Sequence, residues 1–155
     1  MERLQPCDYA RVRPLFEGLG YNLVIDSIID GNTPAWVYCD RPAAPQSALL
    51  WNRQDALLIG GYPGSPENNR AANRRLLEAI VPGARDRCVP ELALFYTPGA
   101  WEAEIDTVLS GLEPVRANRR FYTFDAPRID WRTDLPPGSE MRRVDENLLA
   151  DRSLA

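Results

Sequence analysis

The chain has 155 residues, 45% of them hydrophobic, and a formal net charge of −4, which suits one folded core and argues against broad nucleic-acid binding. It contains no histidine and all 18 of its basic residues are arginine. Ser-His-Asp and Cys-His catalysis, histidine metal ligation and lysine Schiff-base chemistry are therefore excluded.

Cys7, Cys39 and Cys88 are an odd, widely spaced set without a CxxC pair, which reads as buried free thiols and predicts neither a disulfide framework nor a metal site. No apolar run approaches the ~18–20 residues of a membrane span, and the opening MERLQPCDYARVRPLF has no apolar signal core, so a cytoplasmic protein that avoids membranes is expected.

Asp8 is placed to cap a first helical turn, Tyr9 to Arg13, with a break or kink at Pro14 and a stop at Gly18 or Gly20. Asn22, Asp26 and Asp30 fall at i, i+4 and i+8 while Val24, Ile25, Ile28 and Ile29 share another face, predicting a second short helix capped by Asn22 and ended by Gly31-Asn32. Three strands in a meander follow, Ala35 to Cys39, Ser47 to Trp51 and Ala56 to Ile59. They are aliphatic, aromatic and β-branched, and short polar linkers separate them.

The glycine-rich turn Gly60-Gly61-Tyr62-Pro63-Gly64 leads from the third of these strands to Ser65-Pro66-Glu67, a serine N-cap with proline in the first turn and a carboxylate at the positive end of the dipole. Free backbone N–H groups at such a helix start suit phosphates. The same glycines also suit a strand-to-helix turn with no ligand at all. The helix is predicted to run to Ile80, with Ala72, Leu76, Leu77 and Ile80 inward, Arg70, Arg74 and Arg75 on an outer face that is either solvated or meets a ligand's phosphates, and Val81-Pro82-Gly83 as its end.

Leu92 to Tyr96 reads as a strand inside the sheet, and Thr97-Pro98 opens another helix with Trp101, Ile105, Val108, Leu109 and Leu112 buried. Arg119 to Asp125 is predicted as a final strand, 126–139 as a linker, and 140–155 as a strand and helix that start a second domain. The first domain is thus expected over 1–125. Asp55 and Glu91 are the carboxylates nearest the strand ends and the general-base candidates, although each also reads as a solvated charge.

YNLVIDSIIDGNTPAWVYCD, SALLWNRQDALLIGG, PELALFYTP with Trp101-Glu102, and RRFYTFDAPRIDWR resemble the N-terminal half of two-part GNAT acetyltransferases of the zwittermicin-resistance type. The resemblance covers almost the whole chain. It implies an α/β (α+β) fold with a mixed, mostly antiparallel central sheet flanked by about four helices. It also implies acetyl-CoA as co-substrate and a small amine-bearing acceptor. A catalytic GNAT domain in cis, or a homodimer partner, would complete the enzyme.

Carried onto this sequence, the resemblance places the backbone of Leu58, Ile59 and Gly60 at the thioester, and Gly61, Gly64 and Ser65 at the phosphates. The family's cofactor signature, Arg or Gln, two residues, Gly, one residue, Gly or Ala, has no match here. The tyrosine that protonates the leaving thiolate is missing between Trp101 and Pro114, with Tyr96 only a positional substitute. Two readings stay open beside the acetyltransferase: a non-catalytic scaffold or dimerisation domain that shapes a partner's acceptor site, and an unrelated anion-binding domain using the Ser65 helix start.

Overall fold

A computed structural model describes residues 1–117, 119, 122 and 135–142. Met1–Val115 form one compact unit and Arg116–Ala155 a second.

The first unit is a five-stranded sheet in the order β1 (Glu2–Arg3), β2 (Trp36–Cys39), β3 (Ser47–Trp51), β4 (Ala56–Gly61) and β5 (Ala93–Thr97). Neighbours are antiparallel from β1 to β4, and β5 runs parallel to β4. The mixed, mostly antiparallel sheet and the meander are as the sequence predicts. Antiparallel neighbours need only short turns, whereas the parallel step from β4 to β5 requires a crossover. Helical segments supply it: α2 (Pro66–Arg75), a π-helical turn Leu76–Ile80 and α3 (Val81–Asp86).

Alternation along the central strands sends side chains into two cores. Val37, Cys39, Ala48, Leu50 and Leu58 meet Val12, Phe16, Ile25 and Ile28 on one face. Those partners come from a long 3₁₀ segment, Pro6–Leu19, and from α1 (Val24–Ile29). On the other face Tyr38, Leu49, Trp51 and Ile59 meet Ala72, Leu76, Ile80, Trp101, Ile105 and Val108. The last three come from a 3₁₀ turn, Gly99–Ala103, and α4 (Ile105–Val108). Burial on both sides explains why β3 and β4 read as continuous apolar runs, and each such Leu or Ile stabilises by about 1.5–3 kcal/mol.

Several expectations are corrected. Pro6–Leu19 runs through Pro14 without a break, because three-residue turns rather than α-helical ones form there. Its N-cap is Gln5, while Asp8 lies in the first turn and pairs with Arg11 at 2.9 Å. The helix from Ser65 does not stop at Ile80. The Val81 N–H reaches back to the Leu76 carbonyl, a widened turn after which Pro82 falls in the first turn of α3, where its missing N–H costs little. Gly83 is there a seat for an aromatic ring, since a Cβ would lie 3.0 Å from the Trp51 ring. The helix after Thr97-Pro98 is split between a 3₁₀ turn and the short α4, without a side-chain cap.

Among the described residues β5 pairs with β4 and is half-buried throughout, and the strand expected beyond it falls almost wholly outside them. Of the three thiols, Cys39 is buried but Cys7 and Cys88 are exposed. The predicted strand Arg119 to Asp125 lies outside the described residues apart from Arg119 and Tyr122. The segment from residue 143 lies outside them altogether. In the second unit, Ser139 N–H donates to the Pro136 carbonyl at 3.0 Å in a turn with Gly138 at φ +84°, and Glu140 pairs with Arg142.

Candidate functional site

The predicted cofactor residues occupy the end of β4 and the start of α2. Leu58 and Ile59 are buried in opposite cores, at 0% and 1% exposure. Gly60 pairs with Ala48 on one side and Thr97 on the other. Its Cα faces the 3₁₀ segment so closely that a Cβ would stand 2.7 Å from the Leu15 carbonyl oxygen and 2.6 Å from the Phe16 ring.

Gly61 has φ +83°, and a Cβ there would meet the Gln46 carbonyl oxygen at 2.1 Å. Only glycine fits that combination. Tyr62 N–H then donates to the same Gln46 carbonyl at 2.8 Å, and the Gly61 carbonyl accepts from Trp101 Nε1 at 2.7 Å. Trp101 is 1% exposed, as its place in the core requires, yet its indole N–H also fastens the turn. Ser65 is the N-cap of α2, its Oγ accepting from Asn68 N–H at 3.4 Å and its carbonyl from Asn69 N–H at 3.1 Å.

Asn69 and Asn73, four residues apart on α2, tie the helix to the segment around α4. Asn69 Nδ2 donates to the Glu104 carboxylate at 2.9 Å, and Asn73 Nδ2 donates to the Val108 and Ser110 carbonyls at 2.9 and 2.7 Å. In sequence the apolar stripe gives these two residues no role, although their i, i+4 spacing marks a shared face. Tyr96 hydroxyl donates to the Glu102 carboxylate.

Asp55 and Glu91 stand near the Ala56 and Ala93 ends of β4 and β5, away from the Gly60–Thr97 end. The Asp55 carboxylate accepts from Asn52 Nδ2 at 3.3 Å. The structure does not bring either carboxylate to the turn.

The turn from Gly60 to Ser65 is thus filled and bonded by its own chain. The Gly60 face is covered by Leu15 and Phe16, the Gly61 carbonyl and Tyr62 amide are paired, and the Ser65 hydroxyl caps the Asn68 amide while its carbonyl starts the helical ladder with Asn69. β4 and β5 stay in register through Gly60 and Thr97.

Among the described residues no three metal-ligating side chains come together, and no helix is long and apolar enough to cross a membrane. No protein-family model and no curated protein matches the chain.

Proposed function

We propose that Met1–Val115 is a GNAT-like domain, the front half of a two-part N-acetyltransferase, and that it serves as a scaffold beside a catalytic GNAT domain. The resemblance in sequence supports the family. So does the strand order, antiparallel to β4 and then parallel to β5 across a helix. The observation that carries the scaffold role is the internal bracing of the turn: Leu15 and Phe16 pack on Gly60, Trp101 holds the Gly61 carbonyl and Gln46 holds the Tyr62 amide. Transfer of acetyl from acetyl-CoA to a small amine-bearing acceptor belongs, on this reading, to the partner domain.

A second reading keeps acetyl-CoA at Leu58, Ile59, Gly60, Gly61, Gly64 and Ser65. It draws on the exposed Ser65 and Pro66 at the positive end of a ten-residue helix. Calorimetric titration separates the two. The scaffold reading expects acetyl-CoA to give the same heat with the wild-type chain and with Ser65→Ala. Micromolar binding, about −8 kcal/mol, that Ser65→Ala or Gly64→Leu removes while the fold survives would overturn it in favour of a working cofactor turn.

A further inference from the structure

At the opposite edge of the sheet, three arginines collect around two aromatic rings. Arg3 of β1 is paired in register with Tyr38 of β2, and Trp36 lies two residues before Tyr38 on the same face. The Arg3 guanidinium carbon lies 4.8 Å from the Trp36 ring centroid, and that of Arg53, from the β3–β4 turn, lies 5.9 Å from the same centroid. Arg75, at the end of α2, places its guanidinium carbon 5.7 Å from the Tyr38 ring. Trp36 is itself braced edge-on against the fully buried Trp51, with ring centroids 5.0 Å apart.

The charge balance of this cluster is one-sided. Elsewhere in the first unit Arg11 is paired with Asp8, Arg13 with Asp26 and Asp30, and Arg41 with Asp40, while Arg70, Arg74, Arg85 and Arg87 make no ion pair among the described residues but also do not gather on a ring. Arg3, Arg53 and Arg75 have no carboxylate within ion-pair distance among the described residues. Glu2 points to the other face with Cys39, and the Asp55 carboxylate is engaged by Asn52. The polar contact made by these three side chains is Arg75 Nε to the Met1 carbonyl at 3.0 Å, while Arg53 Nε is buried without an acceptor. Arg53 also holds its place from a left-handed backbone, φ +59°, a conformation unfavourable for a long side chain.

Three like charges gathered over rings keep most of their N–H donors without an acceptor among the described residues, the Arg75 Nε bond to Met1 aside. That arrangement calls for an anion. We propose that Arg3, Arg53 and Arg75 on the Trp36–Tyr38 platform form a binding site for a phosphate-type oxyanion, as free phosphate or pyrophosphate or as the phosphoryl group of a small molecule. A tetrahedral phosphate offers a separate oxygen to each of three guanidinium forks, whereas one carboxylate's two coplanar oxygens satisfy a single fork. The site is separate from the Gly60–Ser65 turn and does not rest on the acetyltransferase reading.

The test is calorimetry on the full chain with inorganic phosphate, pyrophosphate, a phosphate monoester and, as the carboxylate control, citrate, all at equal ionic strength. Pyrophosphate is expected to bind saturably with one site, and Arg3→Gln or Arg75→Gln to weaken it by roughly tenfold or more, the loss of one charge-assisted fork. Arg70→Gln and Arg74→Gln, which remove equal charge from the same helix outside the cluster, and Ser65→Ala are expected to leave affinity unchanged. Tighter binding of the monoester than of free phosphate identifies a phosphorylated small molecule as the ligand source, and the reverse identifies the free anion. Binding that is absent, that falls equally with Arg70→Gln, that is lost with Ser65→Ala or that is matched by citrate would overturn the site. Circular dichroism of each variant keeps a folding defect from being read as lost binding.

Discussion

The Gly60–Ser65 turn and the Arg3–Trp36–Arg53–Arg75 edge differ in how far the chain satisfies its own polar groups. At the turn, a motif that looks made for phosphate commits the Tyr62 and Asn68 amides and the Gly61 carbonyl internally, to Gln46, Ser65 and Trp101. At the edge, residues that form no motif leave three cations without carboxylate partners among the described residues and one Nε buried without an acceptor. Capacity for a ligand lies in what the fold leaves unpaired, because a group already bonded gains little by exchanging partners. Substitutions at the turn should therefore cost stability and spare oxyanion affinity, and substitutions at the edge should do the reverse.

The largest effect is expected at Trp101. Trp101→Ala removes a buried indole and should cost about 3–5 kcal/mol in urea unfolding. Trp101→Phe keeps most of the ring but orphans the Gly61 carbonyl, for about 1–3 kcal/mol. Pyrophosphate affinity should be unchanged in the phenylalanine variant. A turn bond that matters for function rather than for folding would instead leave the urea midpoint where it was.

Asp40 comes next, as a second internally satisfied anion. Its carboxylate accepts from Gln46 N–H at 2.9 Å and Ser47 N–H at 3.1 Å across the β2–β3 linker. Burial raises its pKa, but these backbone donors and Arg41 outweigh burial and hold it below the ordinary 3.8. A depressed folded pKa contributes stability that is present above the unfolded pKa and is lost as pH falls through the folded value. Asp40→Ala should cost about 1.5–3 kcal/mol at neutral pH. Asp40→Asn should shrink the loss of stability that the wild type shows below pH 3.8. Unfolding curves from pH 7 downward check both.

How much of this was legible depends on the range of the interaction that makes each feature. The meander, the Ser65-Pro66 helix start and the buried Trp101 follow from local patterning, since strand alternation and capping need only neighbours. β1 was not legible, because Glu2 and Arg3 carry no apolar signal and join the sheet only through β2. Pro82 reads as a helix end in sequence, and only the Val81-to-Leu76 bond shows how a π turn carries the helix past it. The candidate turn was legible as a turn, but its closure depends on Leu15, Gln46 and Trp101, each brought in from a different element. The arginine edge gathers positions 3, 36, 38, 53 and 75, and no spacing rule connects them.

The thiols test the core beneath that edge. Burial, with Asp40 and Glu2 adding to it, pushes the Cys39 thiol up to about 11 from an ordinary 9.0. A raised pKa for an acid means that the neutral form is favoured in the fold, so stability should be flat below pH 9 and fall as pH rises from 9 towards 11. Cys39→Ala should remove the part of that slope that begins at pH 9, leaving the part above pH 10 that Tyr9 and Tyr38, also raised by burial, contribute. In the native chain a thiol reagent should modify Cys7 and Cys88 quickly and Cys39 only on unfolding. Fast reaction of all three would mean that the β1–β2 edge opens readily and does not hold Arg3 in place.

The smallest stability effect is expected at Arg53, where two contributions oppose each other. The left-handed backbone at φ +59° favours asparagine over arginine by up to about 1 kcal/mol, while the lost cation–π contact with Trp36 costs about 0.5–1 kcal/mol. Arg53→Asn should therefore unfold within about 0.5 kcal/mol of the wild type. It should nonetheless weaken pyrophosphate, because it deletes one of three guanidinium groups. Unchanged stability with weakened binding would show that this arginine is held in an unfavourable conformation for the anion. A loss above about 1 kcal/mol with unchanged binding would show that Arg53 acts as a lid on Trp36, and the contrast between the two regions would fail at this residue.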